Sequence, residues 1–357
     1  VNFSARNDWS STLPAQNNSF FYPGLNLSTV FTSWLQQREN PALTFAKLRA
    51  SASLTGNDAG VYLTDTYFRP AVAGGDNLLP TVRFPSFGVT AKERSTTLGN
   101  RFLRPESSRN LELGMVLEWW NGRLAFDASW YWNQSRDQIV NAQLSAATGY
   151  LRSPINGGQI DTKGAEVQVK MVPVRNTDWE WSNTINFSRN RSIVTELPMN
   201  SNGIVLGSYT NLSTVMLEGQ PYGVMIGTSI KRNEAGIPII DEDGFPLLNK
   251  EQTVVGDPNP DWLMGIHQRL RYKRFSCFML WDIRKGGDIW NGTRGVLSYL
   301  GISETSGDRR DETVVFDGVT ASGEVNTRPV ALANPANGMS GIYWRSYGFL
   351  GLEDELE

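Results

Sequence analysis

Histidine and cysteine are almost missing from this chain of 357 residues, which has one of each, His267 and Cys277. A lone Cys excludes an intrachain disulfide framework. One His and one Cys also argue against zinc sites and against Ser-His or Cys-His catalysis. The thiol sits in "FSCFMLW", where it reads as a small apolar filler. Charge of one sign is lacking too: 33 Lys and Arg face 36 Asp and Glu, a net charge of −3. That is not the basic footprint of a nucleic-acid binder. No continuous apolar run is long enough for a membrane-spanning helix, with 40% apolar residues and a mean hydropathy of −0.33. This argues against a helical membrane protein but not against a β-barrel, whose strands are only half apolar. An initiator Met and a signal peptide are also missing. The chain starts at Val1 inside what reads as a strand and stops at "GLEDELE" without an obvious terminal strand. It therefore reads as an internal piece of a longer exported protein.

Aromatic residues and glycines are abundant, with 12 Trp, 16 Phe, 11 Tyr and 34 Gly. In "RLAFDASWYWNQ" (123–134), Leu124, Phe126, Ala128, Trp130 and Trp132 share one parity, and Asp127, Ser129, Tyr131 and Asn133 the other. Period two means a strand with one apolar and one polar face. The pattern returns in 110–119, 165–172, 179–188, 262–272 and 275–283, and more weakly in 1–9, 20–31 and 45–54. About nine strands result, several of them long for a soluble sheet, where roughly 5–6 residues is usual. Tight turns at "NG" (121–122), "RNTD" (175–178) and "KR" (273–274) alternate with long connections at 57–107, 145–159, 189–261 and from 285 onward. A soluble domain seldom tolerates so many long loops. An outer-membrane barrel, with short periplasmic turns and long extracellular loops, requires them.

Aromatic placement fits the same reading. Trp262 and Tyr272 share a parity and lie ten residues apart, as do Gly122 and Trp132. At about 3.3 Å per residue and a tilt of ~40°, that spacing rises about 25 Å, the height of a barrel's apolar band. Trp119, Trp179, Trp181 and Tyr272 stand beside short turns and would form a periplasmic girdle. Trp130, Trp132 and Trp262 would form the outer one. The plainer alternative is the core of a large β-sandwich.

The order of motifs resembles the barrel of SusC-like TonB-dependent transporters of Bacteroidetes. The resemblance rests on "LRASASLTGND", "RFLRPESSRNLELGMVLEWWNGRLAFDASWYWNQSRDQIVNAQLSAATGY", "INGGQIDTKGAEVQV", "EGQPYGVMIGT", "GDPNPDW" and "DIRKGGDIWNGTRGVLSYLG". It implies an all-β fold. Residues 1–357 would be part of one transmembrane antiparallel barrel of ~22 strands, with the plug domain and last strands absent. It implies a cell outer-membrane protein importing large nutrients, mostly glycan oligosaccharides and in some cases peptides. The partners it implies are a SusD-like surface lipoprotein, TonB through an absent N-terminal region, and outer-membrane lipid. It implies no enzyme chemistry, no cofactor, no metal and no nucleic acid. The alternative is a structural or adhesive cell-surface β-protein.

Other motifs have plainer readings. "DEDG" (241–244) lacks the spaced ligands of a calcium loop, with Ile at 239, and reads as a β-turn. Glu112 and Glu118 read as solvated lumen charges and not as an acid–base pair. "GGDIWNGTRG" (286–295) follows a strand into a long loop and not a helix, which argues against a phosphate cradle. For ligand contact, Trp290 and Tyr299 could stack on sugar rings. Asp288, Asn291 and Arg294 could hydrogen-bond hydroxyls or peptide groups. The plainer role for these five is loop packing.

Overall fold

Long strands of alternating character dominate the computed structural model, which describes residues 1–32, 42–73, 81–198, 201–209 and 212–332. The largest sheet has nine strands: β1 Asn2–Trp9, β2 Ser19–Val30, β3 Leu43–Asn57, β4 Glu106–Trp119 and β5 Leu124–Arg136 come first. β6 Gln159–Arg175, β7 Trp179–Glu196, β8 Trp262–Tyr272 and β9 Phe275–Lys285 complete it. They lie side by side in chain order. All nine expected strands form, and several run further than their alternation suggested. Among the described residues β1 and β9 are the two edges.

Local chemistry explains the tight ends. Trp120, Asn121 and Gly122 turn β4 into β5 with φ of 50°, 56° and 78°. Asn176 caps the β6–β7 turn, its side-chain oxygen accepting from the Asp178 and Trp179 N–H groups at 3.1 and 2.8 Å. Lys273, with φ of 51°, turns β8 into β9. The opposite strand ends are joined by 10–18, 58–105, 137–158 and 197–261.

Two of these connections differ from the expected spans. The long connection expected at 145–159 runs over 137–158 and carries a hairpin of its own, Ile139–Gln143 with Arg152–Asn156. The connection expected from 189 starts at 197, because Arg189, Asn190 and Arg191 are not loop residues. They pair with Ala165, Gly164 and Lys163 of β6. Their polarity hid a strand that continues its pairing with β6.

The described residues divide into two compact units, one within 1–204 and 263–283 and the other within 205–262 and 284–332. In the first, Leu13, Ala59 and Leu103 form a small core with Phe20, Leu63 and Ile139. This ties the connection after β1 to those after β3 and β5. Asn17 Nδ2 donates to the Leu103 carbonyl at 3.0 Å, and Asn100 Nδ2 to that of Pro154 at 2.9 Å. In the second unit, short strands at Ser213–Met216, Val224–Gly227 and Thr253–Gly256 bury Val215, Met216, Val224 and Met225. Helices α1 Gly292–Tyr299 and α2 Glu304–Asp308 follow β9. The terminal "GLEDELE" lies outside the described residues.

Candidate functional site

Strand pairing carries one apolar face across the first unit. Leu117, Phe126, Val169, Ile185 and Ile266 form a continuous cross-strand row, and Met115, Ala128, Val167, Phe187 and Met264 form the next. Several large side chains of this face are exposed, Leu113 to 49% and Trp130 to 41%, while those of the first row are half-buried. An exposed apolar area this wide needs a covering phase. Polar departures include Asn183, beside Met171, and its cross-strand partner Gln268.

The aromatic residues picked out by spacing lie on this face in two groups. Trp119 ends β4 between Leu43 and Leu124. The Trp179 ring lies 4.3 Å from that of Tyr272, and Trp181 stands opposite Leu270. These belong to the short-turn end. Trp130 stands between Leu113 and Ala165, and Trp132 between Leu111 and Lys163, toward the long-loop end. Trp262 opens β8. Cys277 is exposed on the edge strand.

The opposite face is polar and cross-linked. Arg49 reaches Asp127 at 2.9 Å and Glu112 at 3.5 Å, and Arg271 reaches Glu180 at 3.4 Å. Glu112 is thus ion-paired, beyond the plain solvation expected of it. Tyr131 covers Gly164 on the neighbouring strand, where any Cβ would collide with the ring.

The segment after β9 differs from the expected loop. Asn291 caps α1, its Oδ1 accepting from the Arg294 N–H at 3.0 Å. Arg294 and Tyr299 are therefore helical, Tyr299 as the last residue of α1. The Asn N-cap was the sequence signal for this helix, and the glycines at 292 and 295 obscured it. Asp288 is a clasp: its Oδ2 accepts from the Asp257 N–H at 2.7 Å, and its own N–H donates to the Asp257 carbonyl at 2.8 Å. This joins "GDPNPDW" to "GGDIWNG". Trp290 packs against Tyr209 at 5.6 Å, and a Cβ on Gly292 would lie 2.8 Å from its ring.

Trp290, Asn291 and Arg294 thus gather at the start of α1, while Asp288 belongs to the clasp and Tyr299 to the far end of the helix. Tyr209 and Asp257 were missed, because nothing in the sequence links them to the segment after β9. Asp241 makes the expected turn, its carboxylate accepting from the Asp243 and Phe245 N–H groups at 2.9 Å each.

Long antiparallel strands with one apolar face, one polar face, aromatics toward both ends of the apolar side and alternating short and long connections define a membrane-spanning β-barrel wall. The chain belongs to the family described as "TonB dependent receptor-like, beta-barrel", whose model matches residues 1–326. This is the family the motifs led us to expect, and its members are outer-membrane proteins; the barrel here is partial.

Among curated relatives, TonB-dependent receptor P3 of Formosa agariphila is 26% identical over 82% of this chain and 30% of its own length. TonB-dependent receptor P26 of the same organism is 25% identical over 80% and 30%. The chain spans about 30% of the length of these relatives. Among solved structures, the RagAB peptide transporter has a TM-score of 0.65 at 20% identity, covering 85% of this chain and 33% of that one. The RagAB peptide importer in its closed-closed state gives 0.64 at 20% identity, covering 82% and 32%. These two likenesses concern the fold.

Proposed function

We propose that this chain supplies part of the barrel wall of an active outer-membrane importer of large nutrients, oligosaccharides or peptides. The observation that carries the reading is the family match over residues 1–326, with the two-faced sheet as its physical counterpart. In this reading the apolar face meets lipid and the polar face lines the path of the cargo. Its cross-linked charges keep the wall hydrated and rigid. TonB acts on the importer's plug, and a SusD-like lipoprotein closes the outer mouth. The cargo is moved and not chemically altered. An oligosaccharide cargo fits the exposed Tyr209 ring, packed on the half-buried Trp290, beside hydrogen-bonding groups. The likeness in fold to the RagAB peptide importer favours a peptide.

For contact with cargo we place Arg294, exposed at the start of α1, the Trp290–Tyr209 ring pair and Tyr299. Asp288 and Asn291 shape the segment through the clasp and the cap. Trp290→Ala in the full-length transporter should weaken uptake about ten-fold, which corresponds to roughly 1.4 kcal/mol. Growth on limiting oligosaccharide or peptide measures this, with surface abundance as control. Unchanged uptake removes Trp290 from the cargo site, and lost surface abundance makes the ring structural. Uptake that survives collapse of the proton gradient would contradict active import.

A further inference from the structure

Lys163, Arg189 and Arg191 lie on the sheet face that should carry no charge. Lys163 stands between Trp132 and Arg191, and Ala165, two residues on, stands between Trp130 and Arg189. All three cations are exposed, and no ion pair among the described residues uses them. The nearest carboxylate on this face by register is Asp161, opposite Gln134 and Ile193. It is already engaged, its Oδ1 accepting from Gln134 at 3.0 Å and Gln159 at 3.2 Å. Directly paired residues have Cα atoms about 5 Å apart and same-face neighbours along a strand about 7 Å. Three positive charges therefore converge on one small area. Like charges placed opposite one another are unfavourable unless an anion sits between them.

Position fixes what that anion can be. Arg189 is ten residues beyond Trp179, the same interval that separates Tyr272 from Trp262. The cations therefore stand at the outer edge of the apolar band, where a charge costs little, and not at its middle, where it costs most. Beside them, along the cross-strand row that runs from Arg189 through Ala165, Trp130 and Leu113 to Ala50, the apolar face is indented. A hollow of about 770 Å³ has Leu27, Leu113, Met115 and Trp130 around Ala50 and Ala128. Alanines leave room where the neighbouring positions fill it. Clustered cations beside an acyl-sized hollow match a lipid with a phosphorylated head.

We propose that this patch binds a phosphorylated glycolipid of the outer leaflet, with its phosphate held by Lys163, Arg189 and Arg191 and an acyl chain in the hollow. The proposal rests on the sheet being an outer-membrane wall, and it is independent of what the importer carries.

The test uses the full-length protein in detergent, titrated with bisphosphorylated lipid A, the same lipid dephosphorylated, and inorganic phosphate. The variant Lys163→Gln/Arg189→Gln/Arg191→Gln should bind bisphosphorylated lipid A about a hundred-fold more weakly than the parent. Lys170→Gln, on the opposite face, should bind like the parent, and dephosphorylated lipid should bind both weakly. Equal affinity of triple variant and parent overturns the proposal, as does indifference to the phosphates. Inorganic phosphate binding as tightly as the lipid overturns it in favour of an ion site. A triple variant that keeps lipid A but loses a co-purifying lid protein assigns the patch to protein docking and overturns it too. If the triple variant fails to assemble, Arg191→Gln alone is read, with about a five-fold loss expected and no loss contradicting the proposal. Active uptake, measured separately, tests the import reading whichever way the lipid titration falls.

Discussion

Val169 and Lys170 are neighbours in the chain and meet different surroundings. Val169 lies in the apolar row between Phe126 and Ile185, while Lys170 pairs with Ala125 and Thr184 on the polar side. Val169→Arg should therefore destabilise the barrel by about 2–4 kcal/mol near the bilayer midplane, and Lys170→Arg should be nearly silent. Urea midpoints of protein folded into lipid vesicles measure both, and equal tolerance would contradict the assignment of faces. Gly164 makes a second residue-scale case. Its missing side chain is the seat of the Tyr131 ring, so Gly164→Val should cost about 1–3 kcal/mol by overpacking. Gly164→Val with Tyr131→Ala should recover part of that loss. A double variant no more stable than the single one would show that the ring is not the obstacle.

Alternation made the strands legible because period two is a property of the local chain and needs no knowledge of neighbours. "NLELGMVLEW" and "LAFDASWYWN" announce β4 and β5 this way. The extension of β7 through Arg189–Arg191 was not legible, because charged residues on the apolar parity read as loop until their partners on β6 are known. The strands of 4 or 5 residues between 204 and 256 were hidden for another reason. They are too short to show a period and owe their form to packing within the second unit. The same holds at the candidate site: Trp290 could be singled out from sequence, but its packing partner Tyr209 could not.

Turn chemistry yields a prediction at this scale. Lys273 adopts φ of 51° in the two-residue β8–β9 turn, a region that costs an L-residue about 1–2 kcal/mol. Lys273→Gly should raise the urea midpoint, with a net gain of about 1 kcal/mol after glycine's greater loss of chain freedom. A lowered midpoint would mean the lysine side chain contributes more than its backbone strain removes.

As a whole the chain makes one claim that every other inference needs: the sheet crosses a membrane, with its tight turns on one side and its long connections on the other. Asn121 sits in the tight β4–β5 turn, and Glu234 sits in the 197–261 connection beside Asn233, whose Oδ1 caps a turn by accepting from the Ala235 and Ile237 N–H groups at 3.0 Å each. Glu234 is exposed and makes no such cap, so a cysteine there leaves the turn intact. The decisive measurement places Asn121→Cys or Glu234→Cys in a full-length Cys277→Ser background and treats intact cells with a membrane-impermeant maleimide. The account predicts labelling at 234, none at 121, and labelling at both once the cells are broken. Equal labelling of the two positions on intact cells would contradict it.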